Sequence, residues 1–157
     1  MRLFITKIAV LFGIIFLLAG CIKKKEFDVV PSLTFLNYEV FSHQEGNITK
    51  PDSAHLTFSF TDGDGDLGSN NNEDPTVFVQ YYEDEGSGFV KKEKYDTIYF
   101  PKLNPQGNGK GVEGTYVHFF DFPFFNYNNS FPYQRRIYMV DQAGHQSNVI
   151  QTPSQSK

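Results

Sequence analysis

The chain has 157 residues, enough for one domain and too few for two of ordinary size. Hydrophobic residues make up 39% and aromatics 17%, so there is material for a core and wholesale disorder is excluded. A net charge of −4 argues against nucleic acid as the main partner, and a single cysteine excludes an intramolecular disulfide and a cysteine-based zinc site.

Residues 1–20 read as an address and not as part of the fold. Arg2 and Lys7 make a positive start, and Ile8 to Leu18 is an apolar run too short and wrongly flanked for a stable span. The run closes in Leu18-Ala19-Gly20-Cys21. That tetrapeptide resembles the lipobox of bacterial lipoproteins, which implies cleavage after Gly20 and diacylglycerol on the Cys21 sulfur. A plain secretory signal with a chance cysteine is the alternative. Two or three acyl chains anchor stably where one does not. Residues 21–31 then form the acylated cysteine and a hydrophilic tether that includes Lys23, Lys24 and Lys25. Ile22, where the inner-membrane retention signal has Asp, implies the outer membrane by the same resemblance. The basic run after Cys21 favours its periplasmic side over the cell surface.

Residues 32–152 show no amphipathic helix and fit the alternating template. Expected strands are Leu33 to Phe41, Ala54 to Thr61, Thr76 to Tyr82, Gly88 to Lys94, Thr97 to Phe100, Thr115 to Phe120, Arg136 to Val140 and Asn148 to Thr152. In the second, Leu56, Phe58 and Phe60 share one face; in the third, Val77, Val79 and Tyr81 do. Turn-rich stretches at 44–52, 62–75, 84–87, 101–114 and 141–147 separate them. Such short strands without helices predict an all-β fold, an immunoglobulin-like β-sandwich of about seven strands. The Cys…Trp…Cys hallmark of antibody domains is missing, so the label rests on pattern. Residues 153–157 are expected to be a tail.

The most informative segment is Asp62-Gly63-Asp64-Gly65-Asp66-Leu67-Gly68. Its glycines match the G-x-G-x-x-G dinucleotide fingerprint. That motif needs a helix behind it, whereas Ser69-Asn70-Asn71-Asn72-Glu73-Asp74-Pro75 is loop, and three aspartates would repel a phosphate. A cation fits better. With Asp62 as position one, Asp64 is three, Asp66 five and Glu73 twelve of a calcium loop, although Leu67 stands where an EF-hand has glycine. The competing reading is a metal-free turn whose carboxylates cap backbone N–H groups. Asp141-Gln142-Ala143-Gly144-His145-Gln146-Ser147-Asn148 precedes the last strand. In an immunoglobulin-like sandwich that loop lies at the same end as the acidic loop, where Asp141 or Asn148 can complete a coordination shell. A simple hairpin turn is the alternative, and for His145 the preferred one.

The stretch from Tyr116 to Tyr138 is dense in aromatics. Phe122, Phe124, Phe125 and Tyr127 form a candidate partner or glycan patch, against the plainer reading of core plus a covering loop. His55 and His118 alternate with core residues and are expected to face solvent. Nucleophile and metal-hydrolase motifs such as G-x-S-x-G and H-E-x-x-H are missing, so no catalytic residue is assigned and a non-enzyme is expected.

Taken with Val112-Glu113-Gly114-Thr115, the segments Phe58 to Gly68 and Ile137 to Asn148 resemble uncharacterised envelope lipoproteins of Bacteroidota, over most of the chain beyond Cys21. The resemblance implies an envelope lipoprotein with an Ig-like fold and brings no activity. The expected function is a membrane-anchored binding or structural module with a candidate Ca²⁺ loop, meeting the bilayer through Cys21 and an envelope protein or glycan otherwise. The alternative is a carbohydrate-active or hydrolytic accessory using the acidic end.

Overall fold

The computed structural model describes residues 26–70, 74, 76–103, 110–121 and 131–155. Among the described residues seven strands follow in chain order: β1 (Ser32–Glu45), β2 (Ile48–Asp62), β3 (Val77–Asp84), β4 (Phe89–Ile98), β5 (Val112–Asp121), β6 (Tyr133–Met139) and β7 (Ile150–Gln151). They form two antiparallel sheets, ordered β1-β2-β5 and β4-β3-β6-β7. The chain is a β-sandwich, as its alternation predicts.

The period of two explains how the layers close. Ala54, Leu56, Phe58 and Phe60 point inward from β2, and Val77 and Val79 from β3, to meet Ile137 and Met139 of β6. Burying a side chain of this size is worth about 1.5–3 kcal/mol, so this shared stripe is what holds the sheets together. On the solvent side, Phe78 and Tyr138 stack across β3 and β6 at 5.1 Å between centroids.

Two expectations about elements change. The stretch 44–52 is not a broad turn: β1 and β2 pair through Glu45↔Ile48, and only Gly46 and Asn47 turn between them. A polar strand surface reads like a loop when hydropathy alone is used. Gly88 to Lys94 and Thr97 to Phe100 are not two strands, because β4 runs through both as one edge strand on β3. Among the described residues no helix is long and apolar enough to cross a membrane. Cys21 and the segment before it lie outside the described residues.

Register fixes which loops meet. Ser32 pairs with Thr61, Val112 with Asp62, and Val77 with Ile98 and Met139. One end of the sandwich therefore collects the entry to β1, the acidic loop after β2, the approach to β5 and the loop after β6. The hairpins point the other way: β1–β2 lies about 45 Å off along the 15-residue β2, and β3–β4 about 25 Å off along the 8-residue β3.

Candidate metal centre

The inward stripe of β2 carries on for one position beyond Phe60, and that position is Asp62. Alternation thus drives a carboxylate into the core at the strand's end, where it is 0% exposed. Neither of its oxygens has a hydrogen-bond partner of good geometry. The same holds for Oδ1 of Asp64 and Oδ1 of Asp66, both shielded from solvent. A buried carboxylate without partners costs several kcal/mol if it is charged and alone.

The loop returns across the sandwich end because Gly68 sits at φ +82°, with a Cβ there only 2.8 Å from the Pro101 carbonyl carbon. Ser69 N–H then donates to the Phe100 carbonyl at 2.9 Å, tying the loop to the segment after β4. From the other sheet the loop after β6 closes over it. Ala143 N–H donates to Asp66 Oδ2 at 3.0 Å, and the Gln142 side-chain amide donates to the Gly68 carbonyl.

Asp62, Asp66 and Asp141 each offer an oxygen within 4.8 Å of the others. This buried acidic cluster can hold a metal ion. Its electrostatics are those of a site that wants positive charge. Burial, then Asp64, Asp66 and Asp141, push the Asp62 carboxyl up to about 6. Burial, then Asp141 and Asp64, raise Asp66 as well. Asp141 is held rigidly: its Oδ1 accepts from His145 N–H at 2.7 Å, and its Oδ2 lies 2.8 Å from His145 Nδ1. That hydrogen bond raises the His145 pKa. A histidine behind a carboxylate orients it and balances part of its charge, an arrangement also used around metal ligands.

The structure brings Asp62, Asp64, Asp66 and Asp141 to one end of the sandwich, as the spacing and topology predict. Glu73, the expected twelfth-position ligand, lies outside the described residues, as do Phe122, Phe124, Phe125 and Tyr127. Of the two candidates in the last loop, Asp141 faces the cluster. Asn148 instead clamps β1, its Oδ1 accepting from Leu33 N–H at 2.8 Å and its Nδ2 donating to Leu33 O at 2.9 Å. His145 is not merely a turn residue, since it is the partner of Asp141. The i, i+4 spacing of Asp141 and His145 is the signal that sequence reading passed over.

Beside Asp141 opens a polar pocket of about 500 Å³, walled by Ser69, Asn70, Asp74, Thr76, Lys102 and Gln142. His55 stays on the outer face of β2, as expected, between the rings of Phe41 and Phe119 at 4.3 Å each. His118 does not face solvent. Its side chain is 17% exposed and turns into the layer between the sheets, edge-on to Phe120 at 4.5 Å. The reason is parity: Phe120 is the inward residue of β5, and His118 lies two before it.

Comparison of the chain with protein-family models, with curated proteins and with solved structures returns no match.

Proposed function

We propose that this chain is a lipid-anchored envelope module, non-enzymatic, whose sandwich end is locked by a Ca²⁺ ion. The observation that carries the metal is Asp62: fully buried, without a hydrogen-bond partner of good geometry, and facing Asp66 and Asp141. An all-carboxylate donor set of hard oxygens suits Ca²⁺ and not a thiolate- or imidazole-seeking metal. Asp62, Asp66 and Asp141 would hold the ion, with Asp64 beside them. The ion would supply the charge that lets four carboxylates share one end of the core. Its work would be structural, joining the loop after β2 in one sheet to the loop after β6 in the other. The sole cysteine at the end of Leu18-Ala19-Gly20-Cys21 supports the anchor and, with Ile22 behind it, an outer-membrane address on the periplasmic side. The antiparallel sandwich, with the described residues after β2 and the loop after β6 at one end, supports the immunoglobulin-like reading.

Titration calorimetry of the soluble domain tests the ion. Saturable Ca²⁺ binding, lost in Asp62→Asn and not reproduced by Mg²⁺ at equal ionic strength, is expected; no binding heat would leave a metal-free turn. Fractionation tests the anchor. Cys21→Ser should move the protein from the membrane to soluble or unprocessed material, and unchanged processing and partitioning would refute acylation.

A second reading, a hydrolytic accessory, draws on one observation. Asp141 lines the polar pocket and holds His145 by its ring nitrogen, and a carboxylate–imidazole pair is how an oriented general base is built. Turnover by the intact protein that disappears in His145→Gln would favour it.

A further inference from the structure

The tether enters the sandwich at the metal end. Ser32, the first residue of β1, is paired with Thr61, next to Asp62. Ahead of it the backbone is laid against the acidic loop: a Cβ on Gly63 would lie 2.6 Å from the Asp28 carbonyl oxygen, and one on Gly111 3.1 Å from the Phe27 ring. Glycine at 63 is what admits this approach, since any side chain there would displace the backbone of Phe27 and Asp28. The exit is fixed on its other side too. Val30 N–H donates to Asp28 Oδ1 at 3.0 Å, Pro31 is fully buried, and Asn148 grips both backbone groups of Leu33.

From Phe27 back to Cys21 is six residues. In any conformation six residues reach at most about 20 Å. The β1–β2 hairpin is about 45 Å from the metal end along β2, and the β3–β4 hairpin about 25 Å along the 8-residue β3. A chain anchored at Cys21 therefore cannot present its two ends to the bilayer alike.

We propose that the acidic end of the sandwich is its membrane-facing end, set against the headgroup layer, with the β1–β2 and β3–β4 hairpins directed away from the membrane. This rests on the acylation of Cys21 proposed above. The partner of this surface is the bilayer itself, and the sequence is graded for it. Lys23, Lys24 and Lys25 lie in the stretch that must cross the headgroups, where each basic residue near an anionic surface is worth about 1 kcal/mol. Val29 and Val30, 50% and 39% exposed, follow at the exit. The carboxylates come next, and a cation on them removes the repulsion that an anionic surface would otherwise exert. The ion site would then sit where anionic headgroups concentrate divalent cations. The outward Phe41–His55–Phe119 cluster on β1, β2 and β5 lies at mid-length of β2, clear of the metal end and open to the envelope space.

The test uses the full-length acylated protein in vesicles of phosphatidylethanolamine and phosphatidylglycerol carrying a headgroup energy-transfer acceptor. With Cys21 acylated, an introduced cysteine is the sole free thiol. Donor dye is placed at Val149→Cys, exposed at the metal end, or at Ser87→Cys, exposed in the β3–β4 hairpin. Transfer from position 149 several-fold greater than from position 87 is expected. Equal transfer, or the reverse order, overturns the orientation while the protein remains vesicle-bound. A flexible Gly/Ser insert of some twenty residues after Glu26 should erase the difference; a difference that survives the insert overturns the tether as its cause. Absence of the acyl mass on Cys21 with loss of vesicle flotation overturns the anchor reading, and the orientation with it, through a separate readout.

Discussion

Among the charged side chains that alternation drives into this core, Arg135 and Asp62 meet opposite fates. Arg135 shares the inward face of β6 with Ile137 and Met139 and is 1% exposed. Its guanidinium lies 4.2 Å from the Phe120 ring centroid and 5.3 Å from that of Tyr133, and it donates to the Tyr38 hydroxyl. Asp62 shares the inward face of β2 with Phe58 and Phe60, and the described residues give its oxygens no good partner. One charge is compensated by aromatic faces and a hydroxyl of the chain itself. The other is surrounded by more of its own sign. The contrast separates a buried charge that serves packing from one that waits for something outside the polypeptide.

The sharpest break of that contrast is at Arg135. Arg135→Ala removes the cation that three rings surround and leaves a large cavity, so a loss of about 3–4 kcal/mol is expected in urea unfolding. Arg135→Met, which keeps the volume and drops the charge, should cost clearly less if the guanidinium serves mainly as packing. Equal losses in the two would show that charge and not volume is what the rings require.

At the other end the sign reverses. Asp62→Asn takes a charge out of a place that disfavours it, so the metal-free variant should match or exceed the wild type in stability at neutral pH. Ca²⁺ at a hundredfold excess over its dissociation constant should stabilise the wild type by about 2.7 kcal/mol and the variant hardly at all. A variant less stable than metal-free wild type, with its calcium response intact, would move the site away from Asp62.

Acidity sharpens the same point. In the folded, metal-free chain the Asp62 carboxyl is raised to about 6 from an ordinary 3.8. The folded state thus holds this proton more tightly than the unfolded one. Its contribution to stability is complete below the unfolded pKa and is lost as pH rises through the folded one. Unfolding of metal-free protein should therefore become easier between about pH 4 and pH 7, by roughly 1–2 kcal/mol once screening by nearby water is allowed for. Saturating Ca²⁺ should flatten that decline at its upper end, and Asp62→Asn should remove this component of it.

Much of this was legible in the sequence, and the reason is the period of two. Leu56, Phe58 and Phe60 announce β2 and its inner face, and the next inward position is an aspartate. Topology then suggested that the loop at 141–147 returns to the same end, which Asp141 does. Local chemistry across sheets was not legible. That Asn148 serves Leu33, 115 residues away in sequence, depends on a register that no local pattern encodes. The expected last-but-one strand started at Arg136, so alternation was never asked about Arg135. His118 alternates with the apolar Val117 and Phe119, which reads as a solvent-facing position, yet the inward face of β5 is the one it shares with Phe120. For Arg135 and His118 burial follows the parity of the inward residue two positions on.

His118 offers the smallest effect and tests that rule. It sits on β5, an edge of one sheet, with Nε2 3.6 Å from Asp96 Oδ2 on β4, an edge of the other. Burial lowers its pKa, while Asp96 pulls the other way. A histidine whose folded pKa lies below its unfolded value contributes stability above the unfolded pKa and loses it as pH falls. This slope opposes that of Asp62, so it is best read in the Asp62→Asn background, between pH 7.5 and pH 5. There the protein should weaken on acidification, and His118→Gln should weaken less. Asp96→Asn removes the one charge among the described residues that favours the imidazolium, so it should steepen the acid loss. If Asp96→Asn instead flattens it, the ion pair and not desolvation governs His118, and the side chain is closer to water than its place on the inner face implies.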